Sequence, residues 1–220
     1  MAAILVIGAS RGIGLELVRQ YREAGHRVIA TVRKAADRER VQALGAEVHL
    51  VDVAQPASVS GLAWLLDGEK LEVALYVAGV WSAPDAATPP TQEQFDAVMH
   101  TNVLGAMQVL PQVAPMVQAA QGVLALVSSE MSLLGEAGPD AWLYRVSKAA
   151  LNMVVASAQP RWPGMRLVAL DPGWVQTEMG GASAPLTLQQ SVGGMVQTLA
   201  GVSEKDAGRM LRHDGVRVPW

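Results

Sequence analysis

The chain has no cysteine among its 220 residues, which excludes disulfides, thiolate nucleophiles and zinc–thiolate centres. It also lacks any block of like charge. With a formal net charge of -3, nothing marks a surface for nucleic acid or an acidic substrate. No apolar run approaches the roughly 18 residues that a membrane span needs. Met1 to Ile7 is apolar, but a glycine turn and Arg11 follow at once, which is too short and wrongly flanked for a signal peptide. A cytoplasmic protein without a membrane partner is the expectation. His26, His49, His100 and His213 have no ligand spacing, so no metal is implied. No linker, repeat or low-complexity segment divides the chain, and one domain over residues 1–220 is expected.

What is present is apolar and regularly interrupted. Half of the residues are hydrophobic, enough for a chain of this length to bury a substantial core. Short apolar runs at 3–7, 27–32, 47–51, 73–77, 123–127 and 166–170 read as strands. The first is apolar throughout, as a strand covered on both faces should be. Between them stand helical patterns at 12–24, 35–44, 56–66, 91–118, 142–158 and 185–200. Thr91 and Gln94 form a capping-box pattern, while Pro111 and Pro115 should bend or break the far end of that helix. Residues 216–220 fit an edge strand. Strand–helix alternation from end to end predicts an α/β fold: a single-domain, doubly wound, Rossmann-type parallel sheet of about seven strands, with helices on both faces.

The run Gly8-Ala9-Ser10-Arg11-Gly12-Ile13-Gly14 follows the first strand and opens a helix. Gly8 permits a tight turn, Gly12 lets backbone approach a pyrophosphate, and Gly14 allows close helix packing. The helix amides would then face the phosphates. An NAD site usually places an acid at the end of the second strand for the ribose 2′-hydroxyl. Here that end reads Thr31-Val32-Arg33-Lys34, and Asp37 comes later, inside the next helix. Missing acid and present cations suit a 2′-phosphate, with Arg33 as the bidentate candidate and Arg11 closing from the other side. The expected cofactor is NADP(H) rather than NAD(H). Asp52 fits an acceptor for an adenine amine or, equally, a turn residue.

Tyr144 and Lys148 stand four apart in Tyr-Arg-Val-Ser-Lys, one helical turn, so a phenol and an ammonium share a face. A nearby cation should lower the phenol pKa from about 10 and ready it for proton transfer. With the glycine run, this pair suggests hydride transfer to or from a carbonyl. Trp81, Met131, Leu134, Trp142, Trp174 and Met179 flank these motifs and would line a mostly apolar substrate pocket. Apolar or aromatic ketones and aldehydes then fit better than sugars or acyl-CoA.

The ordered set Gly8–Gly14, Asp52-Val53, Ala78-Gly79, Asn102-Val-Leu-Gly105, Ser128-Ser129, Tyr144-x-x-x-Lys148 and Pro172-Gly173-Trp174-Val175-Gln176-Thr177 resembles the classical short-chain dehydrogenase/reductase family over nearly the full chain. Tyr144 to Asn152, Pro172 to Pro185 and the ending from Asp214 resemble its C-factor-like and carbonyl reductase branch. The resemblance implies a catalytic tetrad. Ser129, chosen over its neighbour Ser128, would hold the carbonyl oxygen, and Tyr144 would exchange the proton. Lys148 would bind the nicotinamide ribose, and Asn102 would hold a water linking Lys148 to solvent. It also implies cofactor contacts from Gly8, Ser10, Arg11, Gly12, Ile13, Gly14, Arg33, Asp52, Val53, Ala78, Gly79, Pro172 and Gly173. Val175 and Thr177 would fix the nicotinamide carboxamide. A homodimer or homotetramer is implied, built on the faces of residues 91–118 and 142–158, with a small-molecule carbonyl or alcohol as substrate and no nucleic acid partner.

Three positions depart from the family pattern. Tyr76-Val77 replaces the usual Asn-Asn before Ala78-Gly79, Ile7 replaces a common Thr, and the Ser129–Tyr144 interval is longer than in many relatives. The altered Tyr76-Val77 keeps a second class open, a cofactor-binding sensor or signalling protein without turnover.

Overall fold

A computed structural model describes residues 1–220. One eight-stranded sheet runs in the order β3-β2-β1-β4-β5-β6-β7-β8. Its strands are β1 Ala3–Ile7, β2 Arg27–Val32, β3 Glu47–Leu50, β4 Val73–Tyr76, β5 Val123–Val127, β6 Arg166–Asp171, β7 Met210–Arg212 and β8 Arg217–Val218. All neighbours are parallel except the β7–β8 pair. The chain winds outward from β1 to β3, returns to β4 beside β1, and winds outward again. The reversal between β1 and β4 is the switch point where open α/β sheets bind ligands.

Alternation along β1 explains the layers. Leu5 and Ile7 join a core with Ala106, Val113 and Leu151, from α6 Gly105–Ala119 and α7 Trp142–Ala158. Ile4 and Val6 join another with Leu17 and Val192, from α1 Gly12–Glu23 and α8 Leu188–Gly201. Period-two side chains on a strand covered on both faces thus feed two cores.

β7, only three residues long, was not anticipated, and it brings the expected sheet of about seven strands to eight. Three expectations need correction. The charged segment after β2 divides into a 3-10 turn, Ala35–Asp37, and α2 Arg38–Gln42. Residues 56–66 divide into α3 Pro56–Val59 and α4 Leu62–Leu65. The helix opened by Thr91 has its capping box, as α5 Gln92–Met99, but Pro111 and Pro115 break nothing; α6 runs through both to Ala119. Both prolines lie on the exposed face, so water can satisfy the carbonyls they leave free, while Val109, Val113 and Val117 anchor the buried face. Between α5 and α6 the backbone widens into a π-turn, His100–Leu104, centred on Asn102.

Candidate active site

The β1–α1 turn is fixed by backbone and by β2. Gly8 N–H donates to Thr31 Oγ1 (3.2 Å) and Ala9 N–H to Thr31 O (2.8 Å). Thr31 therefore supplies, from the neighbouring strand, the hydroxyl that Ile7 does not. A Cβ on Gly14 would lie 2.2 Å from Gly8 O, so only glycine lets α1 start this close to the strand. The gap across the cleft is narrow: a Cβ on Gly12 would sit 3.7 Å from the Thr177 methyl. Ser10 turns its carbonyl to Arg40 Nη2 (2.6 Å), and Ile13 packs on the α1-side core.

The cations around this turn divide sharply. Arg11 pairs with Glu178 from the loop after β6 and does not stand free beside Arg33. Arg40, which the motifs did not single out, pairs with Asp37 at 2.6 Å. Arg33 and Lys34 form no ion pair and are exposed. Asp52 caps its own turn, accepting from Ala54 N–H at 3.1 Å, while Val53 is buried beneath it.

At the other end of the cleft, β5 delivers Ser128 and Ser129. Ser128 points into the core, with its hydroxyl on Asn152 Oδ1 (2.6 Å). Ser129 caps the following 3-10 turn, accepting from Met131 N–H at 3.2 Å, so its own hydrogen is available to another acceptor. The Tyr144 oxygen is near enough that the Ser129 hydroxyl favours the phenolate. Tyr144 is buried, with the Trp81 ring against its own at 4.7 Å between centroids and 53° between planes.

Lys148 lies below, its Nζ donating to Val127 O (2.7 Å) and standing 5.5 Å from the Tyr144 ring centre. The expected acidification of Tyr144 does not hold. Burial dominates and pushes the phenol up to about 12, against which Ser129 works only in part; the carboxyl of Asp171 adds to the rise. The same burial pulls the Lys148 ammonium down to about 8, with Asp171 opposing. The one-turn spacing is real, but dehydration of the phenol outweighs the amine beside it.

Asn102 is fully buried in the π-turn. Its Oδ1 accepts from Val80 N–H (2.8 Å), and its Nδ2 donates to Val80 O (3.0 Å) and Ser147 Oγ (2.9 Å). Gly79 faces both Asn102 Oδ1 and Lys148 Nζ, and Ala78 N–H donates to Ile7 O. Tyr76, in place of an asparagine, reaches under the π-turn to donate to Thr101 O (2.5 Å), and a Cβ on Gly105 would strike its oxygen. A phenol from the strand thus ties strand to helix.

The loop after β6 carries Pro172, Gly173, Val175 and Thr177. Gly173 N–H donates to Asp171 Oδ1 (3.1 Å) and Gly180 N–H to Thr177 Oγ1 (3.0 Å). Asp171, missed by the motifs, is almost wholly buried, its Oδ2 has no partner, and burial raises its pKa. Of the six expected lining residues, Trp81 meets Tyr144. Met131 and Trp142 are half-buried, the latter with an unpartnered indole N–H. The Trp174 indole braces its own loop at Gly180 O (2.7 Å), and Met179 is exposed nearby. Leu134 is 84% exposed on a separate 3-10 turn and is not buried against the others. Ala141, immediately before α7, is held left-handed at φ 48 and ψ 37, and is buried.

A serine, a tyrosine and a lysine thus gather at the carboxyl end of β5 and the first turns of α7, beside a glycine turn at a switch point. A family model for short chain dehydrogenases matches residues 2–185. C-signal of Myxococcus xanthus is 42% identical over 123 residues, covering 54% of this chain and 74% of that protein. Carbonyl reductase Sniffer of D. melanogaster superposes with a TM-score of 0.92 at 25% identity over all of both chains. A short-chain dehydrogenase/reductase from Burkholderia multivorans, solved with bound NADP, gives 0.86 at 29% identity over 100% of this chain and 99% of that one. The chain belongs to the short-chain dehydrogenase/reductase family. It is an oxidoreductase that works with a nicotinamide cofactor. No helix is long and apolar enough to cross a membrane.

Proposed function

We propose that the protein is an NADPH-dependent carbonyl reductase, or alcohol dehydrogenase in the reverse sense. Its substrates are small, mostly apolar or aromatic ketones, aldehydes or secondary alcohols, and it works as one domain over residues 1–220. The observation that carries this reading is the buried Tyr144 phenol under the face of Trp81, with Lys148 Nζ 5.5 Å from its ring centre and Ser129 beside it. The cleft suits a dinucleotide: the turn before α1 leaves no room for a Cβ at Gly14, and Arg33 is unpaired where an acid would select NAD. The cofactor bound in the Burkholderia relative supports the same choice.

Bound, the cofactor would supply hydride to the carbonyl carbon. Ser129, its oxygen already accepting from Met131, donates its hydrogen to the carbonyl oxygen as charge develops there. Tyr144, protonated across the neutral range because its pKa is held near 12, delivers the proton to that oxygen. Lys148, anchored on Val127 O, places positive charge below the phenol and limits the cost of the phenolate left behind. Trp81, Met131 and Trp142 offer an apolar wall that keeps water from competing for the proton. Exposed Phe95, Leu104, Met107, Val146 and Met153 on α5, the π-turn, α6 and α7 supply the apolar faces for a homo-oligomer.

A panel of aromatic and aliphatic ketones, followed by loss of NADPH absorbance, tests this reading. Turnover of aromatic or branched ketones is expected. Tight NADPH binding with complete silence across the panel would favour the sensor, a reading that the similarity to C-signal keeps alongside.

A further inference from the structure

The interval between Ser129 and Tyr144 is longer than usual, and the segment between them is two short 3-10 turns with exposed residues. Such a connection alone would hold the serine loosely. Something else must fix it, and the buried polar side chains around β5 and α7 show what does.

Asn152 lies on α7 one turn beyond Lys148 and two beyond Tyr144, on the same helix face. Its Oδ1 accepts from Ser128 Oγ (2.6 Å), and its Nδ2 donates to Ser132 Oγ (2.7 Å). Ser132 in turn donates to the carbonyl of Ser129 (2.6 Å). Asn152 Nδ2 and Ser132 Oγ also approach Met210 Sδ of β7, at 3.5 and 3.7 Å. Ser128, Ser132 and Asn152 are each more than nine-tenths buried. Hydrogens pass one way through this chain, from Ser128 to Asn152 to Ser132 to the Ser129 carbonyl, so each bond polarises the next.

The consequence for Ser129 comes from strand geometry. Its backbone is extended at φ -165 and ψ 148, and successive side chains of an extended segment point to opposite sides. Pinning the Ser128 hydroxyl into the core therefore turns the Ser129 hydroxyl outward to Tyr144. Pinning the Ser129 carbonyl stops the peptide from rotating that hydroxyl away. Both restraints end on one amide, carried by the helix that carries the acid.

We propose that Asn152 is a positioning residue: by clamping Ser128 and, through Ser132, the Ser129 carbonyl, it holds the Ser129 hydroxyl on the spot that Tyr144 serves. This rests on the reading that those two groups act on a carbonyl. Misplacing a reacting group by about 1 Å can cost about a hundredfold in rate.

The test uses Ser132→Ala, Ser132→Thr and Asn152→Asp in the full chain, with an aromatic ketone that the wild type reduces. Ser132→Ala frees the Ser129 carbonyl and leaves a side chain that fits the same space. Asn152→Asp keeps the shape but draws the Ser132 hydrogen to itself. Both should lower kcat about tenfold to a hundredfold, with ketone KM and NADPH affinity by fluorescence titration nearly unchanged, whereas Ser132→Thr, which keeps the hydroxyl, should stay near wild type. Unchanged kcat in folded Ser132→Ala would overturn the inference, whatever its melting temperature, and it decides alone should Asn152→Asp not fold. A wild type that reduces no ketone would overturn the functional reading beneath it, a result distinct from either.

Discussion

The two ends of the cleft are built from different materials. At the glycine turn the structure relies on backbone, Thr31 and exposed ion pairs such as Arg11–Glu178, whose side chains are 71% and 75% exposed. At the Tyr144 end it relies on buried side chains, with Asn102, Ser147 and Lys148 bonded to partners inside the protein. Exposed pairs are screened and worth little, whereas a buried polar group deprived of its partner is costly. The first end should tolerate change and trade specificity for it; the second should lose activity or stability outright.

The sharpest contrast should come from Tyr144→Phe. If Tyr144 is the proton donor we propose, its loss is expected to lower turnover about 10²–10⁴-fold while NADPH still binds; ordinary turnover in that variant would remove the Tyr144 end from the comparison. Asn102→Ala orphans both backbone groups of Val80 and should cost about 2–4 kcal/mol in urea unfolding. A loss below about 1 kcal/mol would mean that water replaces the amide and that the π-turn is less constrained than its contacts suggest.

At the glycine end, Arg33→Ala should raise KM for NADPH about tenfold or more and leave NADH nearly unaffected, the value of a charge-assisted bond to phosphate. Equal effects on both cofactors would sever Arg33 from the 2′-phosphate. Next comes pH. Lys148 titrates near 8 in the fold but near 10.4 in an unfolded chain, so between those values the unfolded chain binds more protons. Lys148 should therefore make stability rise with pH across that window, a rise absent from Lys148→Met, while kcat falls as the ammonium is lost. The smallest effect is expected from Arg11→Ala: under about 1 kcal/mol in stability and vanishing at high salt. A larger loss would show that this pair does more than bridge two exposed loops.

Much of this was legible because it is local. The continuous apolar run of β1, the glycine turn, the Thr91–Gln94 capping box and the one-turn Tyr144–Lys148 spacing each announce themselves within a few residues. What escaped depends on distant partners. β7 is three residues whose pairing with β6 defines it. Pro111 and Pro115 sit inside a helix because of the core they face away from. Arg11 finds Glu178 across the cleft, and Tyr76 finds Thr101, both far apart in the chain. The Tyr144 pKa moved opposite to expectation because spacing reveals a neighbour's charge but not the loss of water around the phenol. Asp171 and Asn152 lie beside recognisable motifs, yet only burial marks them out.

Ala141 sets a boundary on how this enzyme can vary. A left-handed alanine stores about 1–2 kcal/mol, and it sits where the mostly exposed segment 134–140 hands over to α7. From Leu134 to Asp140 the residues are mostly exposed, so insertions and deletions there should cost little. At Ala141 itself glycine relieves the tension, asparagine and aspartate can bear it, and a valine or isoleucine would unseat the tyrosine three residues on. Change in that exposed segment is thereby uncoupled from the placement of Tyr144.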